Sequence, residues 1–172
     1  FQRQADLLAG LADKDPGNVQ LQSGLALALL KLGDAGVALR DPAAAGYYER
    51  SRAIRARLAA LDAANADWQR ALVVIEQRLG DLAFKAQDFP AAKLRFDAAL
   101  AIARKLAVAE PGNAERQSDL AAALDRLGDV GMMQGDAAGA QAAVGESFQI
   151  AQGLADQFPE NAEYQIGLIT SL

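Results

Sequence analysis

The apolar positions of this chain fall into stripes that step by four and three. One runs Leu21, Leu25, Ala28, Leu32, Ala35, Leu39. A second runs Trp68, Leu72, Ile75, Leu79, Leu82, Ala86, and a third, sparser, runs Leu120, Ala123, Leu127, Val130. Steps of that size keep side chains on one face of an α-helix, and the runs are too long for strands. Each stripe begins just after an asparagine. Asn18, Asn65, Asn113 and a fourth, Asn161, lie 47, 48 and 48 residues apart. Each follows a breaker: Asp15-Pro16-Gly17, Asp62-Ala63-Ala64, Glu110-Pro111-Gly112, Phe158-Pro159-Glu160. Asparagine in that place predicts a helix N-cap, its side-chain oxygen accepting from open backbone N–H groups. Asp67, Glu115 and Glu163, two residues on, suit the positive end of the helix dipole.

A second helix follows each first one. The first helices are predicted to end near Arg40-Asp41, Gln87-Asp88 and Gly135-Asp136. Each aspartate then caps the next helix, with Pro42 and Pro90 in its first turn, where proline is tolerated. The second helices carry Tyr48, Ser51 and Ile54; Phe96, Ala99 and Ile102; Val144, Ser147 and Ile150, and run on to Leu58, Leu106 and Leu154. One residue is missing between Asp41 and Ala44, which accounts for the single 47-residue step. Gly33, Gly80 and Gly128 share a register inside the first helices. A glycine there costs roughly 1 kcal/mol against alanine, so three in register predict close helix approach. In the middle pair, small Gly80, Ala83, Ala92 and Ala99 surround one large residue, Phe96.

Recurrence at this period makes the chain one repeat array. Residues 18–62, 65–109 and 113–157 are three full helix pairs. Residues 1–14 are the end of a preceding repeat, since Phe1 aligns with Tyr48, Phe96 and Val144. Residues 161–172 start a further one, since Leu168 aligns with Leu25, Leu72 and Leu120. An array without polar caps exposes apolar faces at its ends. The expectation is a fragment of a longer chain, or one whose ends pack on something else.

Composition narrows the chemistry. There is no histidine and no cysteine among 172 residues, which removes the commonest general base, the commonest transition-metal ligand and any thiolate site. No cofactor is expected. A net charge of −5 without a basic stripe argues against a nucleic-acid backbone as partner, and no apolar run nears the roughly 20 residues of a bilayer span. Asp125 and Asp129 sit one turn apart, but no loop supplies the other oxygens a divalent ion needs. The Pro-Gly turns lack the Gly-Lys-Ser/Thr of a phosphate loop. Arg50, Arg52, Arg55 and Arg57 form the one basic run, and are expected on a solvated helix face. A cytoplasmic location is the default expectation.

Gly80, Ala92, Phe96 and Ala99 have the spacing of the glycine, alanine, aromatic and alanine of the tetratricopeptide repeat (TPR). Gly33, Ala44, Tyr48 and Ser51 resemble it with one deletion, and Gly128, Ala140, Val144 and Ser147 with a small apolar residue for the aromatic. The period is longer than the ordinary motif's, and the chain resembles the long-helix TPR arrays of large bacterial multidomain proteins. That resemblance implies an all-α, right-handed solenoid of antiparallel helix pairs, with helices near 20 residues long and first helices lining a concave face.

By the same resemblance that face takes Leu27, Leu30, Lys31, Asp34 and Val37 from the first full pair. The second gives Val74, Gln77, Arg78, Asp81, Phe84 and Lys85; the third gives Ala122, Asp125, Arg126, Asp129, Met132 and Met133. Cations recur two residues before the glycine (Lys31, Arg78, Arg126) and aspartates one residue after it (Asp34, Asp81, Asp129). This ladder either holds an acidic peptide or pairs each cation with its own aspartate or with the neighbouring repeat. Val74, Phe84, Met132 and Met133 vary on a fixed framework, as ligand-selecting positions do; the alternative is packing against the adjacent helix. Gln22, Gln69, Gln117 and Gln165 are expected to bond backbone structurally. The functional expectation is a non-enzymatic scaffold that takes a protein partner's peptide or helix on the concave face. The alternatives are a self-association or spacer module, homo-oligomerising through its uncapped ends, and a sensory region for a small effector.

Overall fold

A computed structural model describes residues 1–170 of the chain; the last two positions of the expected final repeat lie outside the described residues. The described residues form eight α-helices and no strand: α1 Gln2–Lys14, α2 Val19–Leu39, α3 Ala44–Leu61, α4 Ala66–Lys85, α5 Phe89–Ala109, α6 Ala114–Gln134, α7 Ala137–Gln157 and α8 Ala162–Thr170. The helices of the three full pairs are 18 to 21 residues long. All four asparagines cap the helices that follow them. Asn18 accepts from the Leu21 amide and Asn65 from the Trp68 amide; Asn113 and Asn161 each accept from two amides.

Each first helix ends on a left-handed residue: Arg40 (φ 58), Gln87 (φ 62) or Gly135 (φ 79). The next amide reaches back to close the turn, as in Asp88 N to Ala83 O and Asp136 N to Gly131 O, both 2.9 Å. That paired hydrogen bonding ends a helix cleanly and reverses the chain. Asp88 and Asp136 then cap α5 and α7 through Ala91 N and Gly139 N. The first pair departs from expectation. Asp41 accepts from Ala43 N instead, α3 starts only at Ala44, and Pro42 lies before the helix, not in its first turn. The missing residue falls in this stretch: Asp41 lies three positions before α3, whereas Asp88 and Asp136 immediately precede α5 and α7, so Ala43 takes the N-cap place.

The chain forms two compact units, Phe1–Leu82 and Ala83–Leu172. In unit 1, α2 and α3 lie antiparallel. Gly33 meets the ring of Tyr48, Gly36 meets Ala44, and Ser51 Oγ donates to Ala26 O at 2.7 Å. One core cluster gathers Leu25, Ala26, Leu29, Ile54 and Leu58 with Ala12 of α1, and Trp68 packs on it. A second joins Leu30 and Tyr48 to Ile75 and Leu79 of α4. Leu30, expected on the groove, is therefore core, because α4 covers it. Leu39, last in its stripe, is exposed at the end of α2.

In unit 2, α6 and α7 repeat the antiparallel arrangement. Gly128 faces Val144, Gly131 faces Ala140, and Ser147 Oγ donates to Ala121 O at 3.3 Å. Phe96 is buried among Ala92 and Val130, with Ala83, Phe84, Phe89 and Leu127 packed against them. The expected glutamine bonds are present. Gln69, Gln117 and Gln165 donate to the carbonyls of Ala59, Ala107 and Ala155, clamping each first helix to the second helix before it. Gln22 bonds Pro16 O within its own turn.

Candidate functional site

Unit 1 holds half of the expected groove residues, and several of them bond one another. Arg78 Nε lies 3.2 Å from Asp34 Oδ1, which also accepts from the Tyr48 hydroxyl at 2.8 Å. Tyr48 is 2% exposed. Burial, and then the hydrogen bond to Asp34, hold its phenol well above the ordinary tyrosine range. The carboxylate of one repeat thus satisfies the guanidinium of the next, the neighbouring-repeat alternative of the ladder. Lys31 is exposed on α2, and Gln77 and Asp81 are half-buried on α4. Val74 packs beside the Leu30–Tyr48–Ile75–Leu79 cluster.

The expected basic face also changes. Arg50 and Arg57 are exposed, but Arg52 and Arg55 turn toward α4. Arg52 Nε meets the buried Glu76 carboxylate at 2.5 Å, while Arg55 donates to Ser51 Oγ at 3.2 Å and to Ala71 O at 3.1 Å. Burial lowers the Arg55 pKa from its ordinary value. Half of the run is internal bonding, not solvated charge. The spacing carried the signal: Ser51, Arg55 and Leu58 step by four and three along the core face of α3, as Leu72, Glu76 and Leu79 do along α4.

Unit 2 holds the rest. Phe84 stacks edge-on against Phe89 with centroids 5.5 Å apart, so it serves packing while staying half exposed. Lys85 is exposed at the end of α4. Arg126 lies 3.8 Å from Asp129, the own-aspartate alternative, in an exposed pair of the kind worth about 0.3–0.5 kcal/mol. Met132 and Met133 stand 65% and 54% exposed in the last turn of α6. Asp125 is exposed a few turns earlier and lines a cavity of about 200 Å³ between α6, α7 and α8. Nothing in the sequence pattern pointed to that cavity. Arg104 grips Glu146 with both terminal nitrogens at 2.5 and 2.9 Å, tying α5 to α7.

Among the described residues no group of three or more Asp or Glu side chains is placed to hold a metal ion, and no helix is long and apolar enough to cross a membrane. The framework positions, namely caps, glutamines, serines and glycines, all bond or pack within the fold. The exposed residues among those expected on the groove are Leu27, Lys31 and Arg78 in unit 1, and Lys85, Ala122, Asp125, Arg126, Asp129, Met132 and Met133 in unit 2. No family model matches the chain, and no curated protein matches it.

Proposed function

We propose that this chain is a non-catalytic interaction scaffold, similar to long-helix TPR arrays, which takes a peptide or helix of a partner protein on the faces of its first helices. One observation carries the reading. The recurring caps, glutamines, serines and glycines are consumed by the architecture, while adaptable apolar residues that differ between repeats stay exposed on the first helices, Met132 and Met133 foremost. Unbranched thioethers fit varied partner surfaces, and apolar anchors carry most of the energy of such contacts. The absence of histidine and cysteine leaves little for catalysis. The cations are not the anchor, because Arg78 and Arg126 already have carboxylates beside them. Random-peptide display against the whole chain tests the reading. Enriched peptides are expected to move the amide signals of Met132, Met133 and Asp125. No enrichment, or binding that leaves α6 unmoved, overturns it.

Self-association is the second reading. Leu7 and Leu11 stand exposed on one face of α1, an unpartnered apolar pair. Sedimentation separates the two readings: a mass independent of concentration removes the second.

A further inference from the structure

Arg55 occupies a position whose counterparts differ from repeat to repeat. On α3 it is 8% exposed, its guanidinium bridging Ser51 Oγ and Ala71 O of α4. A buried cation therefore joins one hairpin to the first helix of the next. In the following repeat Ala103 stands at that position. The buried guanidinium of that repeat stands elsewhere: Arg116, at the start of α6, lies 3.7 Å from both Glu110 and Glu115. In the third repeat neither arginine is present. Ala151 takes the place of Arg55 and Tyr164 the place of Arg116. Ser147, the counterpart of Ser51, is 1% exposed and keeps its bond to the α6 backbone. The cavity of about 200 Å³ opens there, lined by Ser147, Ala151, Tyr164 and Gly167, the last being the counterpart of Ala71. Asp125 and Glu163 line it too.

We infer that this cavity receives the guanidinium of an arginine side chain from the partner peptide; the inference rests on the scaffold reading above. A hydroxyl offers one donor and two acceptor sites. Ser147 gives its proton to Ala121 O and keeps its acceptor sites, as Ser51 does while accepting from Arg55. The two carboxylates supply the opposite charge that a cation leaving water requires. A planar fork of N–H groups reaches acceptors on two helices at once, which a compact ammonium does so less well.

The test uses the whole chain and a blocked alanine pentapeptide with arginine at its centre, beside versions with lysine or neutral citrulline. The arginine peptide is expected to shift the amide signals of Ser147, Ala151 and Gly167 saturably, with the lysine and citrulline peptides about tenfold weaker or more. The Ala151→Arg variant supplies the guanidinium internally, as Arg55 does, and is expected to abolish binding. D125N/E163Q is expected to weaken it about tenfold, and carries the test alone should Ala151→Arg fail to fold. Equal binding of the arginine and citrulline peptides, no saturable shift, or full binding by either folded variant overturns the inference. Guanidinium ion binding as tightly as the peptide overturns the peptide source. Display-selected peptides that bind at Met132 while the arginine peptide leaves Ser147 silent sink this inference alone; silence in both experiments sinks the scaffold reading as well.

Discussion

Gly33→Ala is the sharpest probe of how the hairpins close. A Cβ built on Gly33 overlaps Cδ1 and Cε1 of the Tyr48 ring, and that ring is buried with its hydroxyl fixed 2.8 Å from Asp34. Overpacking of this kind costs about 1–3 kcal/mol. A ring that swings away also leaves the carboxylate, which adds about 1.5–3 kcal/mol. Alanine returns about 1 kcal/mol of helix propensity. The net is a destabilisation of about 1.5–5 kcal/mol, against a whole-domain stability of only about 5–15 kcal/mol. Urea unfolding followed by far-UV circular dichroism measures it. Two controls give the opposite sign. Gly153→Ala, on an open face of α7 with no atom near the new methyl, is expected to stabilise by up to about 1 kcal/mol. In a Tyr48→Ala background, Gly33→Ala is expected to stabilise too. A neutral Gly33→Ala, or the same loss in both backgrounds, refutes the reasoning.

Other outcomes follow from the caps, the turns and the buried phenol. Asn65→Ala and Asn113→Ala are each expected to cost about 1 kcal/mol in urea unfolding, with aspartate at either site retaining most of it. Gln87→Gly, which relieves a left-handed residue at φ 62, is expected to raise the melting temperature by an amount worth about 1 kcal/mol, and Gly135→Ala to lower it by as much. Because the folded state raises the Tyr48 pKa, the folded form holds this proton more tightly than the unfolded one. The Tyr48 contribution is therefore constant below about pH 10 and declines as pH rises beyond it, by at most about 1.4 kcal/mol per pH unit. Stability curves of wild type and Tyr48→Phe should converge in that range; parallel curves contradict the assignment.

The helices were legible because their signals are local. Four asparagines after breakers fixed the starts, and Arg40, Gln87 and Gly135 before an aspartate marked three of the ends. That the helices approach closely at Gly33 was legible from register; that the ring of Tyr48 meets it there was not. What escaped depends on neighbours that a linear pattern does not show. Leu30 read as groove by the resemblance to other arrays; in this one Ile75 and Leu79 of α4 cover it. Arg52 and Arg55 read as solvated because a run of four arginines resembles a charged face, although Glu76 within an apolar stripe was a sign of a buried partner. The cavity beside Ser147 was invisible for a different reason. It is walled by residues of three helices, α6, α7 and α8, and Ala151 draws notice only when its repeat counterpart, Arg55, is seen at work.

The claim that the first helices present a docking face is tested most directly by one affinity ratio: the Kd of the best display-selected peptide for wild type and for Met132→Glu/Met133→Glu. Both methionines are exposed, so the variant is expected to melt with the wild type, and its peptide affinity to drop by at least about tenfold. Equal affinities, at equal stability, contradict the account.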